Sequence, residues 1–237
     1  MRKNGVLYLI PTTLGESNPE DVLPVLVKKH IEHLRFYIAE NEKTARRFIK
    51  KISPETKQAT LQFSVLNKYT QAEEKNKFLN PCLSGEDIGL LSEAGCPAVA
   101  DPGASIVKLA HEKDIKVVPL VGPSSIILAL MSSGLNGQNF AFNGYLPIDR
   151  ANKKKELKRL EKLSFQFNQA QLFIETPYRN NQLMEDICAS LHDSTSVCVA
   201  CDLTLPSEFI KTKPVSYWKK NSVDLHKKPT LFIIQKF

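Results

Sequence analysis

Five short apolar runs in the first half of this chain each stop at a loop rich in small or turn-forming residues, and each is followed by an amphipathic stretch. That alternation restricts the fold more than any other feature. Short continuous apolar runs read as buried strands and 3.6-period segments as helices, so the series is that of βα units around a parallel sheet. Strands are predicted at residues 6–10, 35–40, 61–65, 88–92 and 116–120, with helices at 21–33, 42–51, 72–83, 104–113 and 124–133. The last helix, SSIILALMSSG, is apolar nearly all round and is expected to be buried, with Gly134 as its C-cap.

A second strand–helix series follows. Strands are predicted at 140–145, 170–175, 196–203 and 231–236, and helices near 152–167 and 179–191. Residues 203–217 should add a hairpin or edge strand, with Pro206 and Pro214 marking turns. The expectation is two α/β domains, residues 1–137 with a mostly parallel sheet and helices on both faces, and residues 138–237 with a mixed sheet. The boundary falls where LNGQN separates two apolar blocks. A chain of 237 residues suits two such domains, and a hydrophobic fraction of 42% can fill their cores.

Several classes are excluded. There is no apolar run of about 18 residues for a spanning helix, and the run from Val6 to Ile10 is too short for a signal peptide core. The expected location is the cytoplasm. The five cysteines are scattered; Cys198 and Cys201 form a C-x-x-C inside a strand-like run, which fits buried apolar residues in a reducing compartment rather than a redox pair. No His, Cys and Asp cluster has ligand spacing, so no metal is expected. The net charge of +7 favours acidic partners. It is concentrated in two stretches, seven basic residues from Arg150 to Lys162 and six lysines from Lys211 to Lys228. Each is either a solvated lysine-rich face or a nucleic-acid footprint.

In open parallel sheets ligands sit beyond the carboxyl ends of the strands. Three loops there are rich in glycine and proline: Pro11 to Glu16, Glu93 to Gly103, and Val121 to Ser125. Small residues let backbone approach a ligand, and helix N-termini offer free N–H groups. Neither a phosphate-binding P-loop nor a G-x-G-x-x-G fingerprint is present. Taken singly, each loop is also ordinary turn chemistry.

Taken in order, they resemble a known family. The run GLLSEAGCPAVADPGASIVKLAHEKDIKVVPLVGPSSIILALMSSGL, followed by FNGYLP, resembles the tetrapyrrole methylases, and within them the branch that methylates a cytidine ribose 2′-hydroxyl of small-subunit ribosomal RNA. Segments FYIAENEKTARRFI, FIETPYRNNQLMEDI and ACDLTLPSEFI resemble further segments of that branch, so the likeness spans nearly the whole chain. Glu93 stands where the branch has an aspartate, Val121 where it has a proline, Glu40-Asn41-Glu42-Lys43 where it has Glu-Asp-Thr-Arg, and Asn67-Lys68-Tyr69-Thr70 replaces a histidine-containing segment.

The resemblance implies an S-adenosylmethionine-dependent methyltransferase, a homodimer, with the cofactor folded between two domains. Positions matching the family's cofactor contacts are Pro11, Glu93, Cys96, Ser124, Ser125, Ile126, Glu175, Thr176 and Thr230. A carboxylate at Glu93 suits the cofactor's ammonium or ribose, while Ser124 and Ser125 serve equally as helix caps. A ribose hydroxyl needs a base or a polarising cation nearby; Glu40 at a strand end is the candidate base, and Arg179 at a helix start is the candidate to steer a phosphate. For each the alternative is an ordinary surface or strand-end residue. If the substrate is RNA, Lys153, Lys154, Lys155, Lys158 and Arg159 are expected to contact phosphates. Three other functions stay open: methylation of a tetrapyrrole-like small molecule, methylation of a modified protein side chain, and cofactor binding without catalysis.

Overall fold

The computed structural model describes residues 4–67 and 69–237. Lys68, part of the segment that replaces the family's histidines, lies outside the described residues. The chain divides into two compact units, Met1–Ser124 and Ser125–Phe237.

In the first unit, β1 (Val6–Ile10) is followed by the short α1 (Pro19–Val22) and by α2 (Val25–His33). Then come β2 (Phe36–Ala39), α3 (Glu42–Ile52), β3 (Gln62–Val65), α4 (Ala72–Phe78) and α5 (Asn80–Leu83). β4 (Ile88–Leu91), α6 (Ala104–Glu112) and β5 (Lys116–Pro119) complete it. The sheet order is β3-β2-β4-β1-β5, with every pairing parallel. Helices cover both faces, as a parallel sheet requires. Leu23, Val27, Ile31, Ala45 and Ile49 pack on Ile10, Tyr37 and Leu91 on one side. Phe78, Cys82, Ile106 and Ala110 pack on Leu7, Ile38 and Leu90 on the other. Two helices predicted as continuous are broken, before Val25 by Pro24 and before Asn80 ahead of Pro81. Proline lacks the N–H that would continue the ladder and seats itself at a helix start.

The second unit begins with α7 (Ser125–Ser133), β6 (Phe140–Tyr145), α8 (Arg150–Phe167) and β7 (Ala170–Ile174). After a 3-10 turn at Pro177–Arg179 come α9 (Asn180–Ser190), β8 (Ser196–Cys201), β9 (Phe209–Pro214), α10 (Val215–Trp218) and β10 (Thr230–Gln235). The order is β6-β7-β10-β8-β9, parallel only between β6 and β7. The extra strand expected among residues 203–217 is β9, an edge strand, where Pro214 interrupts no ladder. Leu157, Leu160, Leu183, Ile187 and Trp218 form a core with Phe173, Val199 and Phe232. Helix α7 packs on β8, β9 and β10 and ends at Gly134, φ 69°. Its burial is one-sided: Ala129, Leu130 and Ser133 are buried, while Ile127 and Met131, one turn apart, are exposed. The expectation of a helix buried all round is corrected here. No helix among the described residues is long and apolar enough to cross a membrane.

Candidate functional site

Strands β1 and β4 are neighbours, and the loops leaving their carboxyl ends are tied together. The Thr12 N–H donates to the Gly95 carbonyl at 2.9 Å, and the Ser92 hydroxyl donates to the same oxygen at 2.9 Å. The β4 loop carries three left-handed residues, Gly95 (φ 72°), Ala98 (φ 67°) and Ala100 (φ 60°). Alanine adopts this conformation at a cost, so the surroundings must hold it. Asp101 does so, its Oδ1 accepting from the Ala98 N–H at 2.9 Å and the Gly103 N–H at 2.7 Å. The loop after β5 closes against that after β1: a Cβ at Gly122 would overlap the ring of Pro11. Cys96 Sγ lies 3.4 Å from the Pro123 carbonyl oxygen, and burial raises its thiol pKa.

Three carboxylates gather at these strand ends. Glu40 follows β2, Glu93 follows β4, and Asp101 sits farther along the β4 loop. Burial, then the charges of Asp101 and Glu93, raises the pKa of Glu40. Burial likewise raises that of Asp101, against the two N–H groups that favour its anion. Glu93 Oε1 accepts a 2.8 Å hydrogen bond from the Thr44 hydroxyl on the first turn of α3. Beside it is a crevice of about 200 Å³, bounded by the β1 loop from Thr12 to Glu16, one face of α3, and Ser92 and Glu93.

In the second unit the expected residues gather at the end of β7. Leu231 pairs with Ile174, so Thr230 and Glu175 lie at the same end of adjacent strands. The Glu175 side chain is 1% exposed; its Oε1 accepts from the Thr176 N–H at 2.7 Å and from Arg179 at 2.6 Å. Burial opposes its ionisation, but the hydrogen bonds of Arg179 and Thr176 and the charges of Arg179 and Lys153 prevail and lower its pKa. Lys153 lies between Glu175 and Asp186, at 3.7 and 3.6 Å, with its side chain 4% exposed.

That position corrects one expectation. Lys153 is buried in an ion-pair network, because at Asp149 the chain enters α8 with this residue turned toward the sheet, and it is no phosphate contact. Arg159 forks onto Glu156 at 2.8 and 2.6 Å, whereas Lys154, Lys155 and Lys158 are exposed. Pro11, Glu40, Glu93, Cys96 and Ser124 fall in the first unit, and Ser125, Ile126, Glu175, Thr176, Arg179 and Thr230 in the second. Sequence reasoning missed Asp101 as the clasp of its loop, Asp186 as the partner of Lys153, and the crevice face of α3. The last had a readable signal, since Thr44, Arg47, Phe48 and Lys51 are spaced i, i+3, i+4 and i+7 directly after a strand end.

Comparison with known proteins agrees with this architecture. Residues 15–216 match the family model of the tetrapyrrole (corrin/porphyrin) methylases. The ribosomal RNA small subunit methyltransferase I of Buchnera aphidicola is 27% identical over 237 residues, 99% of this chain and 79% of that protein. The protein of the same name from Vibrio cholerae is 28% identical, covering 89% of this chain and 69% of its own. Among solved structures, the methyltransferase CobJ superposes with a TM-score of 0.64 at 12% identity, over 98% of this chain and 94% of that one. A uroporphyrin-III C-methyl transferase from Thermus thermophilus, complexed with S-adenyl homocysteine, gives 0.56 at 14% identity, over 98% of each chain.

Proposed function

This chain belongs to the tetrapyrrole (corrin/porphyrin) methylases and is an S-adenosylmethionine-dependent methyltransferase, and we propose that its acceptor is a ribose 2′-hydroxyl of small-subunit ribosomal RNA. The observation that carries this reading is the shared name of its relatives, ribosomal RNA small subunit methyltransferase I, at 27% and 28% identity across most of the chain. The exposed Lys154, Lys155 and Lys158 on α8 support it with an electrostatic footprint for phosphates.

The residues present suit the cofactor. In this reading Pro11, Glu93, Cys96 and Ser124 of the first unit and Ser125, Ile126, Glu175, Thr176 and Thr230 of the second hold it. Left-handed Gly95, Ala98 and Ala100 turn the β4 loop sharply, and Gly122 allows close approach of backbone. Glu93 offers carboxylate oxygen to ribose hydroxyls or an ammonium, and buried Glu175 Oε2, 3.7 Å from Lys153 Nζ, has no hydrogen-bond partner among the described residues. Bound there, the cofactor supplies a methyl group already activated on a sulfonium.

The protein's part is to align the hydroxyl and take its proton. Glu40 is the proposed base, with a pKa raised by burial and by two neighbouring carboxylates, which improves a carboxylate as a proton acceptor near neutrality. Arg179, committed to Glu175, acts in this reading by fixing that carboxylate. The reading also includes a homodimer working in the cytoplasm, where light scattering should give twice the 26.6 kDa chain mass. The test of the acceptor is mass spectrometry of ribosomal RNA nucleosides from cells with and without the gene. One 2′-O-methylnucleoside of small-subunit RNA should vanish without it; an unchanged set of ribose methylations overturns the reading and leaves a small molecule or protein side chain as acceptor.

A further inference from the structure

Two adjacent arginines on α3 have opposite fates. Arg46 is built into the wall of the unit: it donates to Glu42 at 2.8 Å, to the carbonyls of Gln58 at 2.6 Å and Leu61 at 3.2 Å, and lies 4.6 Å over the Phe63 ring. Arg47 turns toward the crevice, is exposed, and has no acidic partner among the described residues. One turn farther on, Lys51 lines the same crevice. Its Nζ is held by the Ser17 carbonyl at 2.8 Å and stands 3.7 Å from a Glu16 carboxylate that is itself 87% exposed. So exposed an acid screens the lysine only weakly. The crevice is also lined by Phe48, half-buried against the core of the unit. The hydroxyl residues Thr12, Thr13 and Ser92 line it too, and their hydroxyls donate to the carbonyls of Ser92, Gly15 and Gly95.

A paired cation, an unpaired cation, an aromatic face and hydroxyl groups around one small hollow match the parts of a nucleotide: a phosphate, a base or sugar face, and ribose hydroxyls. Resting on the RNA reading above, we infer that this crevice seats one nucleotide of a single-stranded RNA beside the acceptor, its phosphate between Arg47 and Lys51 and its base or sugar against Phe48. The two cations position substrate; they take no part in methyl transfer.

The test is binding of a fluorescent single-stranded oligoribonucleotide, of small-subunit sequence, by the whole chain across a salt series. A single-strand phosphate contact contributes about 0.7 to the slope of log affinity against log salt. The Arg47→Gln/Lys51→Gln variant should flatten the slope by about 0.7, which is about a 2.6-fold smaller loss of affinity across a fourfold rise in salt. Arg47→Lys should keep the wild-type slope, and calorimetric affinity for S-adenosylhomocysteine should be the same in all three proteins. If the wild type binds the RNA with a salt slope and the double variant keeps that slope, the crevice is not a phosphate seat, while the RNA reading stands. If the wild type itself fails to bind, the RNA reading falls, and this inference with it. A double variant that loses cofactor affinity to the same extent as RNA affinity overturns the assignment to the acceptor strand.

Discussion

Lys153 Nζ stands 3.7 Å from Glu175 Oε2 inside the second unit, with both side chains withdrawn from water. A second carboxylate, Asp186, lies 3.6 Å from the same nitrogen, and Arg150 reaches Asp186 from the surface at 3.3 Å. Removing one member of a buried ion network strands the rest in low dielectric. Lys153→Met should therefore cost about 3–5 kcal/mol, and Lys153→Arg much less. The sole tryptophan, Trp218, is in the core of this unit, so its fluorescence during denaturant titration reports the loss directly. An unchanged midpoint would show that the network adds nothing to stability.

The same network sets an acid limit. Glu175 has a lowered pKa in the fold, so its contribution is present above the unfolded carboxylate value of about 4.3 and is lost as pH falls through the lower folded value. Glu175→Gln should weaken the protein at neutral pH yet make its stability depend less on pH in the acid range. Denaturant midpoints from neutral to strongly acidic pH measure this. Equal acid slopes in both proteins would place the sensitivity elsewhere.

Glu40 carries the opposite sign. Its pKa is raised by burial first and then by Asp101 and Glu93, so the basic form that accepts a proton is filled only as pH rises through that raised value. Methyl transfer should climb with pH in the weakly acidic range. Asp101→Asn keeps an acceptor oxygen for Ala98 and Gly103 but removes a charge, and should move the climb to lower pH. Glu40→Gln should reduce kcat by about 10²–10⁴ with little change in cofactor affinity. A Glu40→Gln enzyme of near wild-type rate and profile would remove this residue from the chemistry.

The thiols should be slow to react. Burial raises the pKa of all five cysteines, Cys82 to about 12, so the reactive thiolate is scarce at neutral pH. Cys198 and Cys201 are buried in β8. Titration with an aromatic disulfide should modify them only after denaturant is added. Rapid modification of that pair in the native protein would point to a redox role for the C-x-x-C.

Much of this was legible in the residues because the strands of a covered parallel sheet are continuous apolar runs. β1 through β5 begin and end within two residues of their expected bounds. The loops were readable as a crevice because Pro11, Gly95 and Gly122 must lie close and their chemistry permits it. Helix breaks at Pro24 and Pro81 were hidden by apolar periodicity that continues across them. Lys153 was hidden among neighbours of its own charge: nothing in KKK says which lysine turns inward, and Glu175 and Asp186, distant in sequence, decide it. In α7 the one-sided burial is hidden because hydrophobicity alone does not tell which apolar face another surface covers.

The most direct measurement is transfer from methyl-labelled S-adenosylmethionine by the purified chain to small ribosomal subunits, or their RNA, prepared from cells that lack the gene. The expected result is label in a single ribose-methylated nucleoside of the small-subunit RNA, stable to alkali at the following linkage and strongly reduced with Glu40→Gln. Label that never enters the RNA, from a protein that binds the cofactor tightly, would contradict it.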